Sequence, residues 1–210
     1  MSSVMWRSWG AAALVLVLGG TIGFAQQAST TRIRAQIEKV DGNVMTLKDR
    51  HGAELAVKMA DNFRAVAMVK ASLDELKPDT YIGVTSMPQA DGSLKAIAIH
   101  IFQPSQRGTA EGHRPWDLTP GSTMTNAAVE TTVAGTDGQV ITVKYKQGDK
   151  VDEKKVLVTP QTKIVRYVPG DKAELKPGVH VIIGAAVKKP DGTFEAAALN
   201  YGRDEIVPPM

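Results

Sequence analysis

The chain contains no cysteine and few aromatic residues, and each shortage excludes a class of function. Without thiols it can form neither disulfides nor thiolate metal sites, and it cannot be anchored as a cysteine-linked lipoprotein. Aromatic side chains make up 5% of its 210 residues, too few for the stacking surface of a single-strand nucleic-acid binder. The formal net charge is only +3 and the charges alternate in sign along the chain, so we predict no nucleic-acid partner.

Catalytic signatures are missing as well. The sequence has no Gly-x-Ser-x-Gly elbow, no cysteine nucleophile and no glycine-rich loop that opens a helix. The runs of charged residues lie in segments that are predicted to face solvent. We therefore predict that the protein is not an enzyme.

The N-terminal residues have the layout of a secretory signal. Arg7 provides a positive start, residues 11–18 are almost wholly apolar, and Gly-Phe-Ala at 23–25 precedes a cleavage point before Gln26, with Ala28 as an alternative. A membrane anchor is the competing interpretation, but it needs about 20 consecutive apolar residues. The apolar run is shorter and is followed by glycines.

We therefore predict a signal peptide at residues 1–25 and a periplasmic protein with no stable membrane insertion after cleavage.

The rest of the chain contains two divergent copies of one module. Three blocks recur in the same order: 41–48 with 137–144, 76–79 with 175–178, and 91–99 with 191–199. The offset between paired blocks drifts only from 96 to 100 residues, so insertions are confined to loops. A repeat of this kind fixes the domain organisation. The prediction is a first barrel at 30–102, a Gly/Pro-rich linker at 103–126, a second barrel at 127–203 and a tail at 204–210.

Each copy has the pattern of about five short strands around Asp-Gly hairpins. Ser72 can cap a single helical turn that Pro78 ends, and residues 171–175 repeat that turn. Short strands in a closed barrel expose no edges. The predicted fold is all-β, with two tandem small OB-like β-barrels, each with one short helical turn, behind an N-terminal signal segment.

These motifs resemble a bacterial exported family. The Val-Asp-Gly hairpin, the Leu-Lys-Pro-Gly turn and the closing Asp-Gly-(Ser/Thr)-x-x-Ala strand are similar to those of an exported domain family of unknown function with an OB-like barrel. The central segment 108–117 is similar to that of alphaproteobacterial exported proteins with two repeats. The resemblance implies the fold and the compartment, and it implies no activity.

The predicted linker contains an unusual residue, Trp116. Trp6 and Trp9 fall in the predicted signal, so Trp116 is the single tryptophan expected after cleavage. Two interpretations stay open: the side chain packs against one barrel, or it forms the wall of a cleft between barrels, a common place for ligands. In the second case Trp116, Arg114 and Arg107 are the predicted contacts with a ligand or partner.

The same segment contains candidate metal ligands. His113 lies between Glu111 and Asp117, and His100 at the end of the first copy could approach them if the linker folds back. Imidazole with carboxylate suits Zn²⁺ or Cu²⁺. The spacing is not a recognised ligand motif, and a histidine that hydrogen-bonds within a loop is the alternative. The other two histidines, His51 and His180, are predicted to be structural.

Three functions remain open at this stage. The leading prediction is a non-enzymatic periplasmic binding or assembly module whose partner is a periplasmic or envelope protein, with no cofactor. The alternative is a periplasmic metal-binding protein that uses the cluster of His113, Glu111 and Asp117. A two-barrel spacer without any ligand is the third.

Overall fold

The computed structural model describes residues 29–135 and 138–210, which form twelve β-strands and three single-turn 3-10 helices. The predicted signal peptide, and Asp137 of one predicted hairpin, lie outside the described residues. Within the described part of the chain, no helix has the length and apolar character needed to cross a bilayer.

The strands are β1 (Thr30–Asp41), β2 (Val44–Asp49), β3 (Glu54–Lys70), β4 (Tyr81–Pro88), β5 (Leu94–Ile101), β6 (Gly112–Pro115), β7 (Thr123–Gly135), β8 (Gly138–Gln147), β9 (Lys150–Val158), β10 (Lys163–Pro169), β11 (His180–Lys188) and β12 (Phe194–Gly202). The 3-10 turns are Leu73–Glu75, Pro104–Gln106 and Lys172–Glu174. The all-β prediction is confirmed.

The first hairpin shows how the sequence produces these strands. β1 buries Ile33, Ala35 and Ile37 on one face, in the period-two pattern of a half-buried strand. Gly42 turns the chain into β2 with a φ of 60°, a left-handed conformation that glycine adopts at no steric cost. The Asp-Gly signal therefore predicts this hairpin correctly.

Two closed rings of five strands result from the pairing. Ring A runs β1–β2–β3–β12–β11 and returns to β1, and its closing pair, β3 with β12, is parallel. Ring B runs β7–β8–β9–β5–β4 and returns to β7, and its closing pair, β5 with β9, is also parallel. The structure thus contains closed β-barrel architecture.

Each ring takes strands from both copies, and this corrects the prediction of tandem barrels at 30–102 and 127–203. Ring A combines β1–β3 with β11 and β12, whereas ring B combines β7–β9 with β4 and β5. The physical reason is the length of β3. It continues as one strand to Lys70 and pairs antiparallel with β10, so the chain leaves ring A and delivers β4 to ring B.

The apolar core divides into three clusters. One fills ring A, one fills ring B, and the third lies where the two rings meet. The third cluster has a buried centre and a partly buried margin, consisting of Met68, Met124, Val165, Tyr167, Ile182 and Met210, with Val66, Phe102, Trp116 and Ile206 around them. Trp116 therefore packs at the junction of the rings.

The segment predicted as a linker is more ordered than its composition suggests. It contains the 3-10 turn Pro104–Gln106, and its strand β6 pairs antiparallel with β7, whose first residue is Thr123. Glycine and proline content does not predict the order of this segment, because the four paired residues of β6 fix it on ring B.

Candidate functional site

A cavity of about 160 Å³ lies at the junction of the rings, and we call it the inter-ring cavity. Its walls are largely aromatic and aliphatic, with two arginines and three uncharged polar side chains among them. The lining residues come from both rings and from β6: Arg32, His100, Phe102, Arg114, Trp116, Met124, Asn126, Tyr167, Ile182, Gly184, Asn200 and Met210. An apolar cavity with a few convergent polar groups has the composition of a ligand site.

Trp116 is held between two guanidinium groups. The Cζ atom of Arg32 lies 3.8 Å from the centre of the indole ring, and that of Arg114 lies 5.5 Å away. The backbone N–H of Trp116 donates to the carbonyl of Ser122 over 2.8 Å, which fixes the residue after β6. Cation–π contacts of this kind contribute about 0.5–2 kcal/mol each.

Asp117 is the shared ion-pair partner of the two arginines on β1. Its Oδ1 accepts hydrogen bonds from Arg32 and Arg34, both over 2.8 Å, and its Oδ2 accepts a second one from Arg34 over 3.1 Å. Hydrogen bonds from Arg34, and then from Arg32, hold the pKa of Asp117 well below its usual range. Asp117 therefore stays ionised and is occupied by this ion pair.

Arg114 has no such counter-charge among the described residues. Its Nη1 donates to the carbonyl oxygen of Ala110 over 2.9 Å. Burial, and then repulsion from Arg32, lower the pKa of Arg114 from its ordinary value. Arginine nevertheless stays protonated in proteins, so the wall of the cavity carries a half-buried, uncompensated positive charge.

His100 forms the floor of the site on β5 and is 4% exposed. Its ring packs 4.7 Å from that of Phe102 and 5.3 Å from that of Tyr167. Gly83 makes this position possible, because a Cβ atom there would lie 2.0 Å from Cε1 of His100. Burial lowers the pKa of His100 to about 3, so the imidazole is neutral at ordinary pH.

Three buried polar atoms around the cavity have no hydrogen-bond partner within the described residues: Nε1 of Trp116, Nδ1 of His100 and Oδ1 of Asn126. The orientation of the Asn126 amide follows from its other end, where Nδ2 donates to the carbonyl of Thr109 over 3.0 Å. Leaving such an atom unpaired costs about 1–3 kcal/mol. Their convergence on one cavity makes this cavity the candidate binding site.

A larger groove of about 780 Å³ lies elsewhere, along residues 70–73 and 158–165. Its lining is mostly apolar, and none of the buried polar atoms that lack a partner in the described ranges belongs to it. Chemistry, rather than size, therefore selects the inter-ring cavity as the candidate site.

The structure does not bring the predicted metal ligands together, and across residues 29–135 and 138–210 it contains no group of three or more acidic or histidine side chains able to hold a metal ion. Nδ1 of His113 lies 2.8 Å from the hydroxyl of Thr125, and Glu111 accepts a hydrogen bond from the backbone of Lys146. Asp117 is occupied by arginines, and His100 lines the inter-ring cavity instead. This corrects the predicted cluster: His113, Glu111 and Asp117 each contact a different neighbour, and His100 lies apart from them.

The predicted ligand contacts separate into two groups. Trp116 and Arg114 both line the cavity. Arg107 lies outside it, where its Nη2 contacts Oδ1 of Asp79 over 2.5 Å on the surface.

Sequence reasoning missed several lining residues, including Arg32, Asn126 and Tyr167. These residues come from strands far apart in sequence, so no local spacing connects them. One signal was present: His100 and Asn200 are polar residues at corresponding positions of the two closing strands, offset by 100 residues. Polar residues in otherwise apolar strands indicate a special environment.

Together, the fold and the site define a class: an all-β protein of two interlocked rings with a small, partly charged cavity at their junction. Comparison with protein-family models, curated proteins and solved structures gives no significant match. The resemblance to exported two-repeat proteins therefore stays a prediction.

Proposed function

We propose that this chain is an exported, non-enzymatic binding module that holds its ligand in the inter-ring cavity. The observation that carries the proposal is the convergence of three unpaired buried atoms on one cavity, those of Trp116, His100 and Asn126. In a cavity that served only for packing, unpaired polar atoms would lower the stability of the fold and bring no gain in binding.

We further propose that each ring is an OB-like barrel assembled from the two copies. In both rings, five strands are joined by four antiparallel pairs and closed by one parallel pair, and this arrangement supports the OB-like proposal. A 3-10 turn precedes the last two strands of each copy, at Leu73–Glu75 and Lys172–Glu174. OB-like barrels serve as binding scaffolds for varied ligands.

The binding proposal is tested with native mass spectrometry on the chain isolated from the cells that produce it. The wild-type protein is expected to carry a non-covalent small-molecule mass, and Arg114→Gln, which removes the free charge of the cavity, is expected to lose it. Arg107→Gln is the matched control, because that arginine pairs with Asp79 outside the cavity. Equal adducts on all three proteins would contradict the proposed site.

An assembly role with a periplasmic or envelope protein is the alternative form of the same proposal. It predicts a chain that carries no small molecule and that elutes with a protein partner whether or not position 114 is substituted. That outcome would move the binding surface away from the cavity.

The proposed cellular location is the periplasm, because the first 25 residues have the sequence of a secretory signal. Cell fractionation with N-terminal sequencing is expected to recover a periplasmic chain that begins at Gln26. A full-length chain in the cytosol would contradict this location while leaving the binding proposal intact.

A further inference from the structure

The charge of the inter-ring cavity calls for an anion. Arg32 shares the carboxylate of Asp117 with Arg34, whereas the Nη1 atom of Arg114 donates to the neutral carbonyl of Ala110. A half-buried guanidinium without a counter-charge is costly, and a planar, bidentate carboxylate is the partner that its fork of donors matches best.

The unpaired atoms call for a ligand that both accepts and donates hydrogen bonds. Nε1 of Trp116 is a donor only, so it requires an acceptor. Oδ1 of Asn126 is an acceptor only, and it cannot exchange roles with Nδ2 because Nδ2 is bound to Thr109. A simple carboxylate satisfies the indole and leaves the amide oxygen unpaired. The ligand therefore needs a hydroxyl or amino group as well.

The size and walls of the cavity limit the remainder of the ligand. Its volume of about 160 Å³ is close to that of an apolar cavity that holds one benzene molecule, so about six to eight non-hydrogen atoms fit. Phe102, Tyr167, Met124 and Ile182 provide apolar walls, which an inorganic oxyanion would leave without contact. A short branched or cyclic hydrocarbon body fills that space.

We infer that the inter-ring cavity binds a small organic carboxylate that carries a hydroxyl or amino group beside a short apolar body. In this arrangement Arg114 and the indole N–H of Trp116 hold the carboxylate, and Asn126 accepts from the hydroxyl or amino group. The inference rests on the proposed function, since it names the class of ligand for the same cavity.

Four probes separate these requirements: 2-hydroxyisovalerate, isovalerate, the neutral isovaleramide, and inorganic phosphate. Each is titrated into the full chain at neutral pH by calorimetry. In parallel, the indole N–H resonance of Trp116, identified by its loss in Trp116→Phe, reports binding at the cavity itself.

The hydroxy acid is expected to bind most tightly and to shift the indole resonance. Isovalerate is expected to bind about 10-fold more weakly, because the Asn126 oxygen stays unpaired. Isovaleramide is expected to bind at least about 30-fold more weakly, because it leaves the half-buried Arg114 guanidinium without its charge partner. Phosphate is expected not to shift the indole.

Two variants assign the contacts. Arg114→Gln is expected to abolish binding of both acids, whereas Arg107→Gln leaves both affinities unchanged. Asn126→Ala is expected to bring the affinity ratio of the hydroxy acid to the plain acid close to one, and the Thr109 carbonyl still accepts a hydrogen bond from the hydroxyl of Tyr81.

The outcomes distinguish the class of ligand from the existence of the site. If isovaleramide shifts the indole as strongly as the acids do, the cavity is a binding site and the carboxylate assignment is wrong. If phosphate alone binds, the apolar body is wrong. If no probe shifts the resonance, the ligand class is wrong, and the small-molecule mass in the native spectrum then decides separately whether the proposed function holds.

Discussion

His100 is a titratable group that folding removes from water, and its neighbours provide no compensating charge. The pKa is lowered to about 3 mainly by burial and also by the positive charge of Arg114. In the unfolded chain the same imidazole titrates near pH 6.5. Below that pH the unfolded state binds a proton that the native state does not. The contribution of His100 to the free energy of unfolding is therefore fully present above about pH 6.5, and it is lost as the pH is lowered toward 3.

We expect the free energy of unfolding to fall through this window by up to about 1.4 kcal/mol per pH unit on account of His100 alone. Carboxylates such as Asp117 also weaken the protein in acid, so the variant His100→Gln is the reference. Urea titrations at several pH values measure both proteins. The two curves are expected to converge toward low pH, and parallel curves would show that His100 does not titrate as a buried group.

Gly83 and Gly184 form a matched pair on β4 and β11. A Cβ atom at Gly83 would overlap the His100 ring and approach Oδ1 of Asn126, whereas one at Gly184 meets no atom within 4 Å. Gly83→Ala is expected to cost about 1–3 kcal/mol of stability through overpacking, and Gly184→Ala to be close to neutral. Thermal unfolding of the two variants checks this, and equal stabilities would contradict the packing of His100 against β4.

At the level of elements, the pairing of β3 with its neighbours is interrupted, although β3 is a single continuous strand. Its residues 57–59 and 64–68 pair with β12, and the described pairings skip 60–63 between them. The second copy places the turn between β9 and β10 at the corresponding position, residues 159–162. The long strand of the first copy and the two shorter strands of the second are therefore versions of one element.

This interruption predicts an uneven pattern of hydrogen exchange along β3. Amides at 60–62 are exposed and outside the paired part of the strand, so they are expected to exchange much faster than those at 66–68, which lie between β12 and β10. Residue-resolved exchange by NMR measures the difference. Uniform protection from 54 to 70 would mean that β3 is paired along its whole length.

Much of the secondary structure was predictable from the sequence, because local chemistry determines it. The Asp-Gly hairpins and the 3-10 turns after Ser72 and at Lys172–Glu174 all follow from turn and capping residues. The exchange of strands between rings was not predictable. It depends on whether the chain folds back after Lys70 or continues across to β4, and both routes bury the same apolar faces.

The site was predictable only in part, for a related reason. Trp116 and Arg114 were found because they stand out in a Gly/Pro-rich segment. Arg32 and Tyr167 were not, since a three-dimensional contact between strands of different rings leaves no spacing in the sequence. The cluster predicted around His113 is not assembled among the described residues, where Nδ1 of His113 lies 2.8 Å from the hydroxyl of Thr125 instead.

For the whole molecule, strand exchange makes the two rings a single folding unit. Neither ring is complete without the other copy, so damage to one core removes strands that the other needs. Leu47→Ala in ring A and Ile141→Ala in ring B, both at 0% exposed positions, are each expected to cost about 2–5 kcal/mol.

Both variants are expected to unfold in one transition that is shifted as a whole, with the same midpoint by circular dichroism and by tyrosine fluorescence. Independent tandem barrels would instead give two transitions, of which each variant would move only one.

The position of β12 in ring A also determines when that ring can form. The ribosome synthesises a chain from its N-terminus, and the strands that close ring A on β1 and β3 begin about 140–150 residues after them. Pairing of segments so distant in sequence is slow. The apolar faces of β1–β3 therefore stay without their ring A partners until β11 and β12 have been synthesised, and the nascent chain has no closed ring A before that point.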